Sequence, residues 1–262
     1  MDWHRTKIVI LYSYYHFRHS METWFDIIWF PLIKVITFGF LAFVLSKSEL
    51  GIGYTQSLIT GLIYWEMMRL VQYSVAVGVL WDVWSDSLTS LFITPLKMSE
   101  FLFGQYLSGL IKAILMSAVM VLFSWILFGY NPLTIGLMVV LYFIILAIFG
   151  GALSLFITSL IIRFGTNVQS MAWGLIYLLQ PFSAIFYPVE ALPQFIRWVA
   201  YGLPISYVME SVRAQHLGYP PRMNDLLSAL IMAIIYLILS FVWFRKIYLD
   251  AKKSGSFARL EM

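Results

Sequence analysis

Two acid–base pairs, Glu66 with Arg69 and Glu210 with Arg213, carry the spacing in this sequence most able to do chemistry. Three residues make nearly one helical turn, so each acid and its base lie on neighbouring faces and can pair. A further polar set, Asp82, Asp86, Lys97 and Glu100, interrupts the aromatic-rich stretch from Trp81 to Gln105. Asp26, Lys34 and Lys112 stand alone in apolar surroundings and are too scattered to nominate a catalytic acid and base. Glu66 with Arg69 is equally compatible with a structural salt bridge and with the lining of a pathway, because an intramembrane charge must face protein or water.

Several chemistries are excluded. No Gly-rich loop ending in Lys-Ser or Lys-Thr is present, so the chain has no phosphate cradle and binds no ATP by that means. There is no Gly-x-Ser-x-Gly elbow and no cysteine. His4, His16 and His19 sit on the N-terminal arm and His216 is isolated, so no metal site is expected. The 17 Lys and Arg residues form no basic stripe among stacking aromatics, which argues against nucleic acid.

With 61% hydrophobic and 11% charged residues among 262, the elements that hold these charges belong to a polytopic membrane protein. The reading is all-α, with six transmembrane helices. Residues 1–23 predict an interfacial helix, with Ile8, Leu11, Tyr12 and Tyr15 on its apolar side. No cleavable signal is expected there. The spans are 24–46, 54–80, 103–128, 133–162, 167–187 and 226–244. Ala113 to Ile162 holds 50 consecutive uncharged residues, which is two spans divided at Gly129-Tyr130-Asn131-Pro132. Residues 81–100 predict an amphipathic helix-turn and 245–262 a basic tail.

Between the last two spans lies an apolar stretch broken by Pro188, Pro193 and Pro204. Each proline lacks a donor and obstructs the preceding turn, and the pieces are too short to cross about 30 Å of hydrocarbon. Residues 188–217 are therefore expected as a re-entrant helical hairpin. Arg5, Lys7, Arg18, Lys97, Arg163, Arg245, Lys246, Lys252, Lys253 and Arg259 fall on one side of this layout, against Lys47, Arg197, Arg213 and Arg222 on the other. The richer side is cytoplasmic, which places both termini inside and the hairpin outside.

The run LWDVWSDSLTSLFITPLKMSEFLFGQYL resembles the first cytoplasmic loop of the permeases of type-two ABC exporters, where an acidic-aromatic helix leads to a Leu-x-x-x-Pro-Leu step. QPFSAIFYPVEALPQFIRWVAYGLPISYVMESVR is similar to the same family's outer hairpin, which ends in a Leu-Pro, then Glu, then Arg pattern. Where polysaccharide exporters carry a Leu-Gly-x-x-Trp step this chain has HSMETWFDIIWFP, which leans toward the drug or lipid exporter-like branch.

The resemblance implies a permease subunit, not itself an enzyme, that forms the path as a dimer with a second permease chain, most simply a like one. Two copies of a cytoplasmic ATPase subunit would bind ATP and magnesium and drive it. By that likeness Asp82, Val83, Trp84, Asp86, Ser87 and Leu88 belong to the coupling helix, and Thr94 and Pro95 turn the chain back. Pro188, Glu190, Leu192, Pro193, Pro204, Glu210 and Arg213 shape the outer gate. The substrate would be an amphiphile, drug, lipid or lipid-linked glycan. A secondary transporter or a membrane-embedded lipid or glycan transferase is the alternative.

Overall fold

The computed structural model describes residues 2–45, 52–85 and 94–254, and in them every regular element is helical. Helix α1 is Trp3–His19, capped by the Asp2 side chain, which accepts from the His4 amide. It buries a narrow small-residue face, Thr6, Val9 and Ser13, and leaves Ile8, Leu11, Tyr12 and Tyr15 exposed. Ser20 ends it and caps α2, Met21–Leu45, by accepting from the Thr23 amide. Just before Pro31, α2 widens into a π turn over Phe25–Trp29. A wide turn there makes room for the proline ring, which would otherwise clash with a carbonyl one turn back.

Helix α3, Ile52–Trp84, is 33 residues long and the axis of the molecule. It packs against α2, α4 (Met98–Phe128), α5 (Met138–Phe164), α6 (Ser170–Leu179) and α8 (Pro204–His216). Consequently its side chains are buried on every face from Leu58 to Val77. The chain ends in α9, Met223–Ser254, which packs along α5. Between α6 and α8 lie a short 3₁₀ turn, Gln180–Phe182, a second, Val189–Ala191, and α7, Gln194–Tyr201.

Among the described residues four helices are long and apolar enough to cross a membrane: Met21–Leu45, Met98–Phe128, Met138–Val168 and Met223–Lys253. The chain is thus a multi-pass membrane protein. Helix α3 misses that standard through its polar residues and α6 through its length. The stretch expected as a fifth span, 167–187, is α-helical only over Ser170–Leu179, where Pro181 removes a donor from the next turn. Residues 81–84 continue α3 rather than begin a new helix, because no breaker precedes Ser85. The basic tail is helical as far as Ser254. The prolines of the broken hairpin each sit where a helical piece starts: Pro188 and Pro193 immediately before one, Pro204 in the first turn of α8. At a first turn the missing N–H costs nothing.

Glycines let the helices close up. A Cβ on Gly104 of α4 would stand 2.6 Å from Val9 Cβ, and one on Gly150 of α5 would stand 2.8 Å from the Met68 carbonyl oxygen in α3. Backbone cannot swing aside as a side chain can. Gly150→Leu is therefore expected to separate α3 from α5 and cost about 1–3 kcal/mol, read as a lowered thermal midpoint in detergent, whereas Gly174→Leu, which faces open space, should leave the midpoint in place.

Candidate functional site

At the middle of α3 the Glu66 carboxylate is fully buried and accepts from two cations: Lys34 Nζ of α2 at 2.6 Å and Arg69 Nε at 2.5 Å. The Arg69 guanidinium also donates through Nη2 to the Asp26 carbonyl oxygen, 3.1 Å away. One turn further on, the Tyr73 hydroxyl donates to Asp26 Oδ2 at 2.6 Å. Lys34 reaches the Tyr177 hydroxyl of α6 at 3.0 Å, and Gln72 Nε2 donates to the Ala172 carbonyl of α6 at 3.0 Å. Two carboxylates and two cations thus form a neutral girdle that ties α2, α3 and α6 together.

Asp26 and Lys34, which look scattered in the sequence, belong to this one site. The reason is the π turn. Residues eight apart in a regular α-helix lie about 80° apart around the axis. One extra residue taken up in a wide turn brings that to about 20°, so Asp26 and Lys34 face α3 together. The Glu66–Arg69 pair was readable from its spacing; its partners depended on a local change of helical pitch.

A second cluster holds the broken hairpin. Glu210 Oε1 accepts from the Val189 amide at 2.9 Å and from Arg213 Nη1 at 2.6 Å, so the expected pair forms. Arg213 Nη2 donates to the Ala184 carbonyl at 2.7 Å. Ala184 has φ +55°, a left-handed backbone that non-glycine residues rarely adopt. Arg197 of α7 donates through Nε to the carbonyl of buried Leu192 at 2.8 Å and through Nη2 to that of Glu190. Pro188, Pro193 and Pro204 mark the bends of the same loop. At the end of α8, His216 Nε2 lies 3.1 Å from Thr60 Oγ1 and 3.0 Å from the Tyr130 hydroxyl, joining α3, the α4–α5 turn and α8.

At the other end of α3, Asp82 is buried and its Oδ1 accepts from the Tyr12 hydroxyl of α1 at 2.7 Å. Val83 is buried beside it. Trp84 is partly exposed, donates to Gln169 Oε1 at 3.2 Å and stacks on Trp173 of α6 with ring centroids 5.8 Å apart. Thr94 Oγ1 accepts from the Leu96 amide, and the Pro95 carbonyl accepts from Arg5 Nη1 at 2.5 Å. The N-terminus of α4 is braced by Glu100, which accepts from the amides of Asp2 and Lys97. Asp86, Ser87 and Leu88 lie outside the described residues.

Four apolar helices packed with one polar-cored helix, α3, and a proline-bent hairpin beside it make this a multi-pass helical membrane protein. The sequence profile of the ABC-2 type transporter family matches residues 9–217, about four fifths of the chain, and the chain belongs to that family. Members are transport permeases. No curated protein matches the sequence significantly.

Two expectations follow. Glu66→Gln leaves Lys34 and Arg69 without their counter-charge in a buried setting, and such breakage of a buried pair costs about 3–5 kcal/mol; thermal unfolding in detergent should show a large drop, with Glu66→Asp intermediate. Burial holds His216 down to about 4, against an ordinary 6.5. Because the folded state disfavours the proton, stability should fall as pH drops from about 6.5 towards about 4 and then level off. His216→Gln, scanned over the same range, should flatten that slope.

Proposed function

We propose that this chain is the permease subunit of an ATP-binding cassette exporter of the cell membrane. Two copies, most simply alike, enclose the path, and two cytoplasmic ATPase subunits that bind ATP and magnesium drive it. In this reading the chain has six spans, the four apolar helices together with α3 and the α6 segment, and both termini are cytoplasmic. The single observation that carries it is the girdle. Lys34, Glu66, Arg69 and Asp26 join α2, α3 and α6 at mid-height, so a push on one end of α3 is passed to all three.

The push enters at the cytoplasmic end. Asp82, Val83 and Trp84, followed by Asp86, Ser87 and Leu88, form the coupling segment, and Thr94 with Pro95 returns the chain to α4. Buried Asp82 positions the segment through Tyr12 of α1, with Val83 buried beside it, while Trp84 and the residues beyond it meet the ATPase. At the outer end Glu210 and Arg213 latch the 183–189 loop, with Pro188, Glu190, Leu192, Pro193 and Pro204 shaping the gate that opens for release. The substrate is an amphiphile, a drug, a lipid or a lipid-linked glycan, and the chain sits in the drug or lipid exporter-like branch.

Affinity purification of the tagged full chain in mild detergent, with mass spectrometry of bound proteins and an ATPase assay of the eluate, tests this. A cytosolic ATPase retained in equal copy number is the expected result. A chain that purifies without a nucleotide-hydrolysing partner, yet transports under an ion gradient or turns over lipid alone, would replace the proposal with a secondary transporter or a transferase.

A further inference from the structure

Helix α1 runs alongside the first half of α4 in the same direction: Asp2 bonds Glu100, Val9 packs on Gly104, and Ser13 bonds Ser108. Where α1 gives way to α2, the three helices leave an open groove of about 530 Å³. Its chemistry is graded along its length. The half beside α1 carries Lys7, whose ammonium rests over the Trp3 ring, and Lys112, with Ile10, Leu11 and Tyr14 between them, and the half beside α2 is walled by Ile27, Ile28, Leu115 and Val119. Among the described residues no carboxylate lines it.

Lys112 is held at the wall of the groove. Its ammonium donates to Ser13 Oγ at 2.9 Å, and Ser13 in turn bonds Ser108 at 2.8 Å, both serines being more than nine-tenths buried. Of its three donors this is the one bonded among the described residues. From Lys7 to Ser13 is six residues, about 9 Å along a helix, and from Lys112 to Val119 is about 10 Å more of apolar wall. Two cations on the α1 side, close enough for the flexible Lys7 to swing from Trp3 toward Lys112, and an apolar track beyond them match the two ends of an amphiphilic anion.

We propose that this groove is a binding site for a bilayer phospholipid with an anionic headgroup, its phosphate against Lys7 and Lys112 and an acyl chain along Leu115 and Val119. Basic pockets between membrane helices recruit acidic lipids in this way. Neither lysine belongs to the girdle around Glu66, so the two sites share no charged group. It stabilises the seat of α1, which holds Asp82 through Tyr12. It depends on the chain lying in a membrane and not on the identity of any ATPase.

The test is native mass spectrometry of the full chain, with whatever partner it retains, released from nanodiscs of equal phosphatidylglycerol and phosphatidylcholine. Phosphatidylglycerol should be retained preferentially, and Lys7→Gln and Lys112→Met should each weaken that preference by about fivefold. Leu115→Trp should fill the track and reduce retention of both lipids. Lys7 lies on the surface helix, so its variant guards against loss of fold at Lys112. Equal retention of the two lipids by the natural chain, a preference unmoved by both lysine variants, or a Leu115→Cys variant that crosslinks to a second copy across the groove would each overturn the proposal. A missing ATPase with lipid retention intact would count against the permease reading alone.

Discussion

Much of this fold accommodates one fully buried carboxylate. Glu66 lies at the centre of the longest and most enclosed helix. Placing it there costs several kcal/mol of lost hydration, which only close cations can offset. Arg69, a turn away, supplies the first. The second comes from α2, and Lys34 is in turn held by Tyr177 of α6. Three helices are bound to a shared height by the need to neutralise one group, and residues far from it inherit their register from that.

The girdle also explains why α3 carries so few ordinary lipid-facing residues. A membrane helix ringed by other helices gains no hydrophobic driving force from burial, since lipid tails are as apolar as leucine. Close packing and polar contacts must hold it instead, and both are seen: glycines of α4 and α5 set against its backbone, and hydrogen bonds accepted by Glu66 and donated by Arg69, Gln72 and Tyr73. At its ends the same helix meets the hairpin through Thr60 and His216 and meets α1 through Asp82.

Much of this architecture was legible in the sequence. Prolines marked the starts of the hairpin pieces, because proline has one position in a helix that it suits. Spacing announced the pairs Glu66–Arg69 and Glu210–Arg213. The long uncharged run gave α4 and α5. What could not be read were contacts set by geometry between elements. Asp26 and Lys34 fall on different faces of an ideal helix and on one face of the real one. The continuation of α3 through Trp84 was hidden because its last turn looks amphipathic, although Asp82 turns inward to meet α1 and Val83 is buried beside it. The length of α6 was overestimated because hydrophobicity continues past Pro181 while the α-helix does not.

The enclosure of α3 has a consequence for how the molecule is made. Helices enter a membrane in the order of synthesis, and most can do so alone because their surfaces suit lipid. A helix with a glutamate and an arginine near its middle meets a barrier of about 2.5–3.5 kcal/mol for each unshielded charge. Helix α2, already synthesised, presents Lys34 and Asp26 to it; α4, next to emerge, offers the glycine-bearing face that closes the other side. In the six-span reading proposed above, membrane insertion of α3 is a cooperative event between nascent segments, with α2 as its template during biogenesis as well as its partner afterwards.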